Sequence, residues 1–187
     1  MMKNYKKNFK LLTDNHVYSP EMEHDACGVG LIASTDGKKS RDVVDYGIEA
    51  LKAVWHRGAV DADGKTGDGA GIHLEIPKDF FIEKIEVTGH DYDNAEICVG
   101  MIFLPRNDYS SQESCKTIVE SELTKNNFSI YGWRQVPVNP KILGEKAFQT
   151  MPEIIQVLFK SNDPNLIDKN LERKIYETRK KIENKAF

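Results

Sequence analysis

Cys27 stands at the head of an apolar run, Cys27-Gly28-Val29-Gly30-Leu31-Ile32-Ala33, directly behind the polar stretch Glu23-His24-Asp25-Ala26. Gly28 follows the thiol immediately, so the backbone there can turn tightly and a small ligand can come close. The plainest role for such a residue is a small buried side chain at a strand end. Three routes would instead make it a nucleophile. A histidine brought close by the fold would serve as base; His16, His24, His56, His73 and His90 are available, and nothing in their contexts selects one. A helix N-terminus would lower the thiol pKa, but the residues after Cys27 read as strand. The third route is self-contained. If residues 1–26 are a removable leader, Cys27 carries a free α-amine with a pKa of about 8, a base that works near neutrality beside the thiol.

Other residues have chemical types worth weighing. The loop Thr66-Gly67-Asp68-Gly69-Ala70-Gly71 has the composition of a phosphate cradle but fails both tests for one. A dinucleotide fingerprint follows a strand and opens a helix, whereas this loop follows a helix and opens a strand; a P-loop closes in Gly-Lys-Ser/Thr. Its glycines instead let backbone pass close beside the cysteine or a small substrate. At His56-Arg57-Gly58 a cation meets a helix C-terminus and a glycine stops the turn. The same position lets Arg57 reach the surroundings of the cysteine, because its helix adjoins the Cys27 strand in sequence. Asp61, Asp63 and Asp68 lack the spacing and closing Glu of an EF-hand loop and read as turn formers. Tyr131-Gly132-Trp133-Arg134 reads as core aromatics on a strand, with a stacking surface as the alternative. No CxxC or His-x-x-x-His spacing suggests a metal site.

Alternating elements must position these groups. Residues 27–33 and 72–76 read as strands, the second stopped by Pro77. Between them a helix runs from Ser40, its N-cap, to about His56, with Val44, Ile48, Leu51 and Trp55 on its buried face and Gly58 as its stop. A short helical turn covers 78–84 and a polar loop 86–96. Ile97–Leu104 is the strongest strand in the chain. Next come a helix over 111–125 capped by Ser110 or Ser111, an extended stretch at 128–138 and a buried strand at 154–159. The last element is a helix over 165–184 with Leu171, Ile175, Thr178 and Ile182 along one face and its Lys, Arg and Glu residues on a solvated outer face. The pattern is mixed α and β, and it does not say whether strands pair parallel or antiparallel.

Composition sets outer limits. A chain of 187 residues, 40% hydrophobic and 29% charged, suits one soluble globular domain or part of a larger one. A net charge of −3 gives no sign of a nucleic-acid or membrane partner, and no apolar run approaches the roughly 18 residues of a membrane-spanning helix. The leader has lysines at 3, 6, 7 and 10 but only one apolar pair, Leu11-Leu12, so it has no signal-peptide core. Three widely spaced cysteines, 27, 98 and 115, argue against a disulfide framework and for a reducing cytoplasm.

Taken together, these residues resemble the class II glutamine amidotransferase region at the N-terminus of the glutamate synthase large subunit. The resemblance is carried by Tyr18-Ser19-Pro20-Glu21 through Glu23–Gly30, by His56-Arg57-Gly58-Ala59 and by Ala62-Asp63-Gly64-Lys65-Thr66-Gly67-Asp68-Gly69-Ala70-Gly71-Ile72. It continues through Gly100–Pro105, Gly132-Trp133-Arg134-Gln135-Val136-Pro137-Val138-Asn139-Pro140 with Leu143-Gly144, and Met151-Pro152-Glu153-Ile154. It covers roughly residues 18–182, in order. Cys-Gly and His-Arg-Gly would suit any class II amidotransferase, including those of purine or glucosamine synthesis. The blocks at 66–72 and 132–140 point to glutamate synthase.

The resemblance implies an α+β fold, the N-terminal part of an Ntn-hydrolase αββα sandwich with two mainly antiparallel sheets between helical layers. It implies a propeptide at 1–26 and an amidotransferase domain over 27–187, incomplete at its C-terminal end. Cys27 would be the nucleophile, supported by Gly28 and Arg57, with Gly67, Asp68, Gly69 and Gly71 in a glycine loop near the site. L-glutamine would be the substrate, and the released ammonia would feed glutamate synthesis from 2-oxoglutarate. FMN and an iron–sulfur cluster are implied for the complete enzyme and neither for this segment; the remaining domains and a small reductase subunit are implied as partners. One departure stands out. The family also uses a downstream Arg segment and an Asn-Gly pair for glutamine and the oxyanion, and this sequence contains no Asn-Gly. The substrate-binding residues are therefore expected beyond Phe187. Loss of one oxyanion donor costs about 3–4 kcal/mol in the transition state. The further expectation is no useful activity and no self-processing for these residues alone. A non-catalytic piece, another class II amidotransferase and a Cys-His thiol hydrolase stay as alternatives.

Overall fold

Three strands carry the most apolar segments of the chain into one antiparallel sheet, in a computed structural model that describes Lys7, Lys10, Leu11, Asp14 and residues 28–54, 60–67 and 69–186. The described elements are α1 (Arg41–Ala53), α2 (Lys78–Val87), β1 (Cys98–Leu104), α3 (Tyr109–Lys125), β2 (Phe128–Gln135), a 3-10 turn (Pro140–Ile142), α4 (Glu145–Thr150), β3 (Glu153–Ser161) and α5 (Asp168–Ala186). Two compact units divide them, residues 1–52 and 53–187. The second unit holds the sheet.

The strand order is β1-β3-β2. β3 is central because it is apolar on both faces, as a strand covered on two sides must be. Its register sets Cys98 opposite Phe159 and Leu104 opposite Glu153 on one side, and Phe128 opposite Ser161 on the other. Successive residues of β3 then point to opposite layers. Val157 and Phe159 join Cys98, Phe128, Val119, Leu123 and Leu171, where α3 and α5 cover the sheet. Leu158, fully buried, joins Phe81, Ile85, Ile97 and Tyr131 beneath α2. Burial of each such side chain is worth about 1.5–3 kcal/mol.

α3 starts earlier than its apolar pattern suggests. Its cap is Asp108, whose Oδ1 accepts from Ser111 N at 3.0 Å and whose Oδ2 accepts from the Ser111 hydroxyl at 2.6 Å; Ser110 and Ser111 lie inside the helix. On α5, Leu171 and Thr178 are buried and Ile175 and Ile182 pack on the same core. Its Lys and Arg residues stay largely exposed, as expected, and two of the lysines also reach back to α3. Lys181 Nζ donates to Asn126 Oδ1 at 2.7 Å and Lys185 reaches the buried Glu122, forming a polar seam with α3.

Two expected strands are corrected. Residues 28–33 and 71–77 form no strand, and Val29 (95%), Leu31 (89%), Ile72 and Leu74 are exposed. Neither segment has a partner strand among the described residues, and an extended segment gains nothing from its apolar alternation without a ladder to join. α1 ends at Ala53 rather than near His56. Its Val44, Ile48 and Leu51 are half-buried; Trp55, His56 and Gly58 lie outside the described residues.

Candidate functional site

The glycine loop begins in a small closed turn. Val60 and Gly67 form an isolated antiparallel bridge, and Asp61 N donates to Thr66 O at 2.8 Å. Gly64 turns the tip with φ +68°, a conformation that costs glycine least. Asp63 is the hub. Its Oδ1 accepts from Lys65 N (2.9 Å) and Thr66 N (2.7 Å), and its Oδ2 accepts from the Thr66 hydroxyl. The Glu145 N–H, at the start of α4, lies near the same carboxylate and adds a little to its stabilisation. These donors, with the Thr66 hydroxyl foremost, hold the Asp63 carboxyl well below the usual carboxylate range, because each favours the charged form.

α4 has Gly144 at its N-cap position and no side-chain cap of its own. A Cβ on Gly144 would lie 2.3 Å from Asp63 Oδ2 and 2.6 Å from Thr66 N, so only glycine admits the loop this close. Lys146 Nζ adds an ion pair to Asp61 Oδ2 at 2.6 Å. The turn at 60–67 is thus closed on itself and locked to α4 from both sides. Beyond it, Gly69 adopts φ +85° and neither Gly69 nor Gly71 has any atom within 4 Å of a notional Cβ.

Of the other residues expected at the site, Cys27, Arg57 and Asp68 lie outside the described residues. So does Phe187. Gly28 is exposed, in open space, and belongs to the first compact unit. Gly67, Gly69 and Gly71 share one run in the second. Asp61 and Asp63 are turn formers as their spacing suggests. Their link to Leu143-Gly144 is beyond sequence reasoning; the only hint is that both blocks carry the same resemblance.

Gly132 has a comparable explanation. It follows a bulge at Tyr131 in β2, and a Cβ there would meet Thr88 Cγ2 at 2.7 Å. The Thr88 hydroxyl sits 2.8 Å from the Tyr131 carbonyl and 2.6 Å from that of Ile85. Tyr131 itself is buried and donates to Asp93 Oδ1 at 2.6 Å, while Lys160 bonds the other oxygen. Those two donors, Lys160 first, lower the Asp93 carboxyl to about 2; burial and the facing carboxylate push the Tyr131 phenol up. Neither group exchanges a proton near neutrality, so the cluster is a latch for the 89–97 loop. Trp133 packs on the α3 side of the core and donates from Nε1 to Glu120 at 2.7 Å, so the aromatics of this block are core.

A groove of about 360 Å³ between α3 and the sheet is lined by Arg106, Tyr109, Lys116, Trp133 and Glu153 among others. Several of its polar groups are already paired: Lys116 with Glu113, Trp133 with Glu120, Glu153 with Gln135 of the same groove, and Arg106 stacked on Phe148. It contains no nucleophile with a base in reach. Among the described residues no three His, Cys, Asp or Glu side chains gather into a set able to hold a metal ion.

Comparison with known proteins gives a consistent picture. The family model for glutamine amidotransferases class-II matches residues 27–187. The chain is 52% identical over 179 residues to the glutamate synthase [NADPH] large chain of Azospirillum brasilense, covering 96% of this chain and 12% of that one. It is 42% identical over 162 residues to ferredoxin-dependent glutamate synthase 1 of Arabidopsis thaliana, covering 86% and 10%. It is 36% identical over 174 residues to glutamate synthase [NADH] of Saccharomyces cerevisiae, covering 88% and 8%. The chain therefore spans about a tenth of the length of the curated relatives it matches.

Proposed function

This chain belongs to the class II glutamine amidotransferases, and on that premise we propose that it is the glutaminase part of a glutamate synthase. The observation that carries this reading is the start of the family match at residue 27, which leaves 1–26 outside and puts Cys27 first. In the proposed reaction residues 1–26 are removed and the α-amine of Cys27 takes the proton of its own thiol. The sulfur attacks the side-chain amide carbon of L-glutamine. The C–N bond breaks, the amine passes the proton to the departing nitrogen, and ammonia leaves behind a γ-glutamyl thioester. Water then attacks the thioester, releasing glutamate and restoring the thiol. Arg57 and Gly28 shape the surroundings of the nucleophile, and Gly67, Asp68, Gly69 and Gly71 let backbone lie close to the substrate. In this reading the groups that grip glutamine itself lie beyond Phe187, in keeping with the absence of an Asn-Gly pair from this sequence.

The ammonia would be consumed in making glutamate from 2-oxoglutarate, in domains that the relatives carry beyond the matched tenth. Iron–sulfur clusters are held by several thiolates together; of the three cysteines, Cys98 is packed in the apolar core with its thiol pushed up to about 12 by burial and Cys27 is the proposed nucleophile. These residues do not fit such a cluster, and no step here passes through it or through FMN. We place the protein in the cytoplasm, with a small reductase subunit as partner. The described cysteines, Cys98 and Cys115, are free thiols, which suits a reducing compartment. No helix among the described residues is long and apolar enough to cross a membrane.

The test uses the full-length protein and a diazoketone analogue of glutamine, read by intact mass and peptide mapping. One adduct is expected, on Cys27 at the mature N-terminus, with ammonia release lost in proportion. Cys98 should stay unlabelled at pH 8. An active sample that still carries residues 1–26 would refute the α-amine base, and labelling at another residue would refute Cys27 as nucleophile.

A further inference from the structure

Outside the proposed chemistry, the Asp63 carboxylate accepts three hydrogen bonds, and the geometry points to Asp63 as a positioning residue that fixes the glycine loop through an interlock with α4. Three donors converge on one exposed side chain, Lys65 N, Thr66 N and the Thr66 hydroxyl, and Glu145 N at the start of α4 lies near enough to help lower its pKa. The three hydrogen bonds close the turn from within, as an aspartate does in an Asx turn. Glu145 belongs to another element, at the N-terminus of α4, which has no side-chain cap of its own and where the Asp63 charge is favoured by the helix dipole. Gly144 removes the one Cβ that would block this approach, and the Lys146–Asp61 pair fastens the other side of the turn. A closed turn alone needs none of the last three features; docking needs them all.

The consequence falls on the residues that follow. Gly67 is the last residue of the bridge with Val60, and Gly69 and Gly71 continue in open space. Glycine-rich backbone has the largest conformational freedom to lose, so a run meant to lie beside a substrate needs an anchor at its base. Asp63 and α4 supply that anchor. The inference rests on the amidotransferase reading for what the loop serves, and on the geometry alone for how it is held.

Asp63→Ala, Asp63→Asn and Gly144→Ala in the full-length protein test it, with cooperative unfolding checked for each. The first readout is labelling of Cys27 by the diazoketone analogue, separated into limiting rate and half-saturating concentration, with iodoacetamide as a control that does not need the loop. Asp63→Ala and Gly144→Ala should each lower the limiting rate at least about tenfold while iodoacetamide labelling changes less than twofold. Asp63→Asn, which keeps an acceptor oxygen, should recover most of the rate. A limiting rate unchanged in both folded variants overturns the positioning role. If the unsubstituted protein does not react with the analogue, the amidotransferase reading falls. NMR order parameters of Gly67, Gly69 and Gly71 then decide the interlock, which stands if they drop in Asp63→Ala and is overturned if they do not.

Discussion

Cys27–Ala33 and Cys98–Leu104 are close in type: each opens on cysteine, carries valine and glycine, and continues in large apolar residues. Their fates differ. Cys98–Leu104 lies against β3 along all seven residues. Residues 28–33 form no strand, with Val29 and Leu31 almost fully exposed. The contrast shows what an apolar run does and does not encode. It encodes the capacity to sit in a sheet. Whether it does so depends on a partner with a complementary row of side chains, because the ladder bonds and cross-strand contacts are made between strands and not within one. Glycine sharpens the point. Gly100 faces β3 so closely that a Cβ would meet Val157 at 2.8 Å, whereas Gly28 and Gly30 have open space around them.

The largest expected difference between the two regions is in packing. Leu158 is fully buried between the strands and α2, so Leu158→Ala should cost about 2–5 kcal/mol from lost transfer energy and a residual cavity. Leu31→Ala should stay within about 0.5 kcal/mol, as for exposed sites without special roles. Urea unfolding with a fixed slope measures both. Equal losses would show that residues 28–33 are packed, and the contrast would collapse.

Backbone substitutions give a smaller difference. Gly132→Ala forces a Cβ onto Thr88 at a bulge and should destabilise by about 1–3 kcal/mol, in the range of overpacking. Gly30→Ala meets nothing within 4 Å and should be neutral, or stabilising by a few tenths through the unfolded chain. Thr88→Ser in the Gly132→Ala background removes the nearest methyl and should recover part of the loss. If it recovers nothing, the bulge conformation and not the Thr88 contact requires the glycine.

These contrasts also explain how far the sequence can be read. β1, β2, β3, α3 and α5 follow from long periodic or continuous apolar runs, because the core that selects them is also what their patterns describe. α4 escapes such a reading: six residues are too few for periodicity, and the Asp63 carboxylate packed against its N-terminus is remote in sequence. The strands expected at 27–33 and 72–76 fail for the reason just given. At the site, the glycine loop and its turn-forming aspartates are legible from composition. The Asp63–Gly144 interlock is not, since it exists only where two distant segments meet. The polar seam of Lys181 and Lys185 with α3 escapes for the same reason, hidden in a helix whose charge pattern looks uniformly solvated.

The smallest predicted effect separates contacts made by the fold from contacts made by the local chain. Asp93 is held by Tyr131 and Lys160, both far off in sequence, and its carboxyl lies at about 2. Asp36, in the other region, is also lowered, but by Ser34 and Lys38, two residues away on either side. A depressed folded pKa contributes stability that is complete above the unfolded value of about 3.9 and is lost as pH falls through the folded one. Asp93 should therefore weaken the fold progressively between about pH 4 and pH 2. Because its side chain is 46% exposed, solvent screening keeps the contribution within the range of about 0–1 kcal/mol seen for exposed pairs. Asp93→Asn should lower the urea midpoint slightly at pH 7, with the gap to the unsubstituted protein closing towards pH 2. Asp36→Asn should show little gap at any pH, because contacts between near neighbours persist in the unfolded chain and cancel from the folding equilibrium. A gap for Asp36 as large as that for Asp93 would mean that residues 34–38 are ordered only by folding, and the division between the two regions would have to be redrawn.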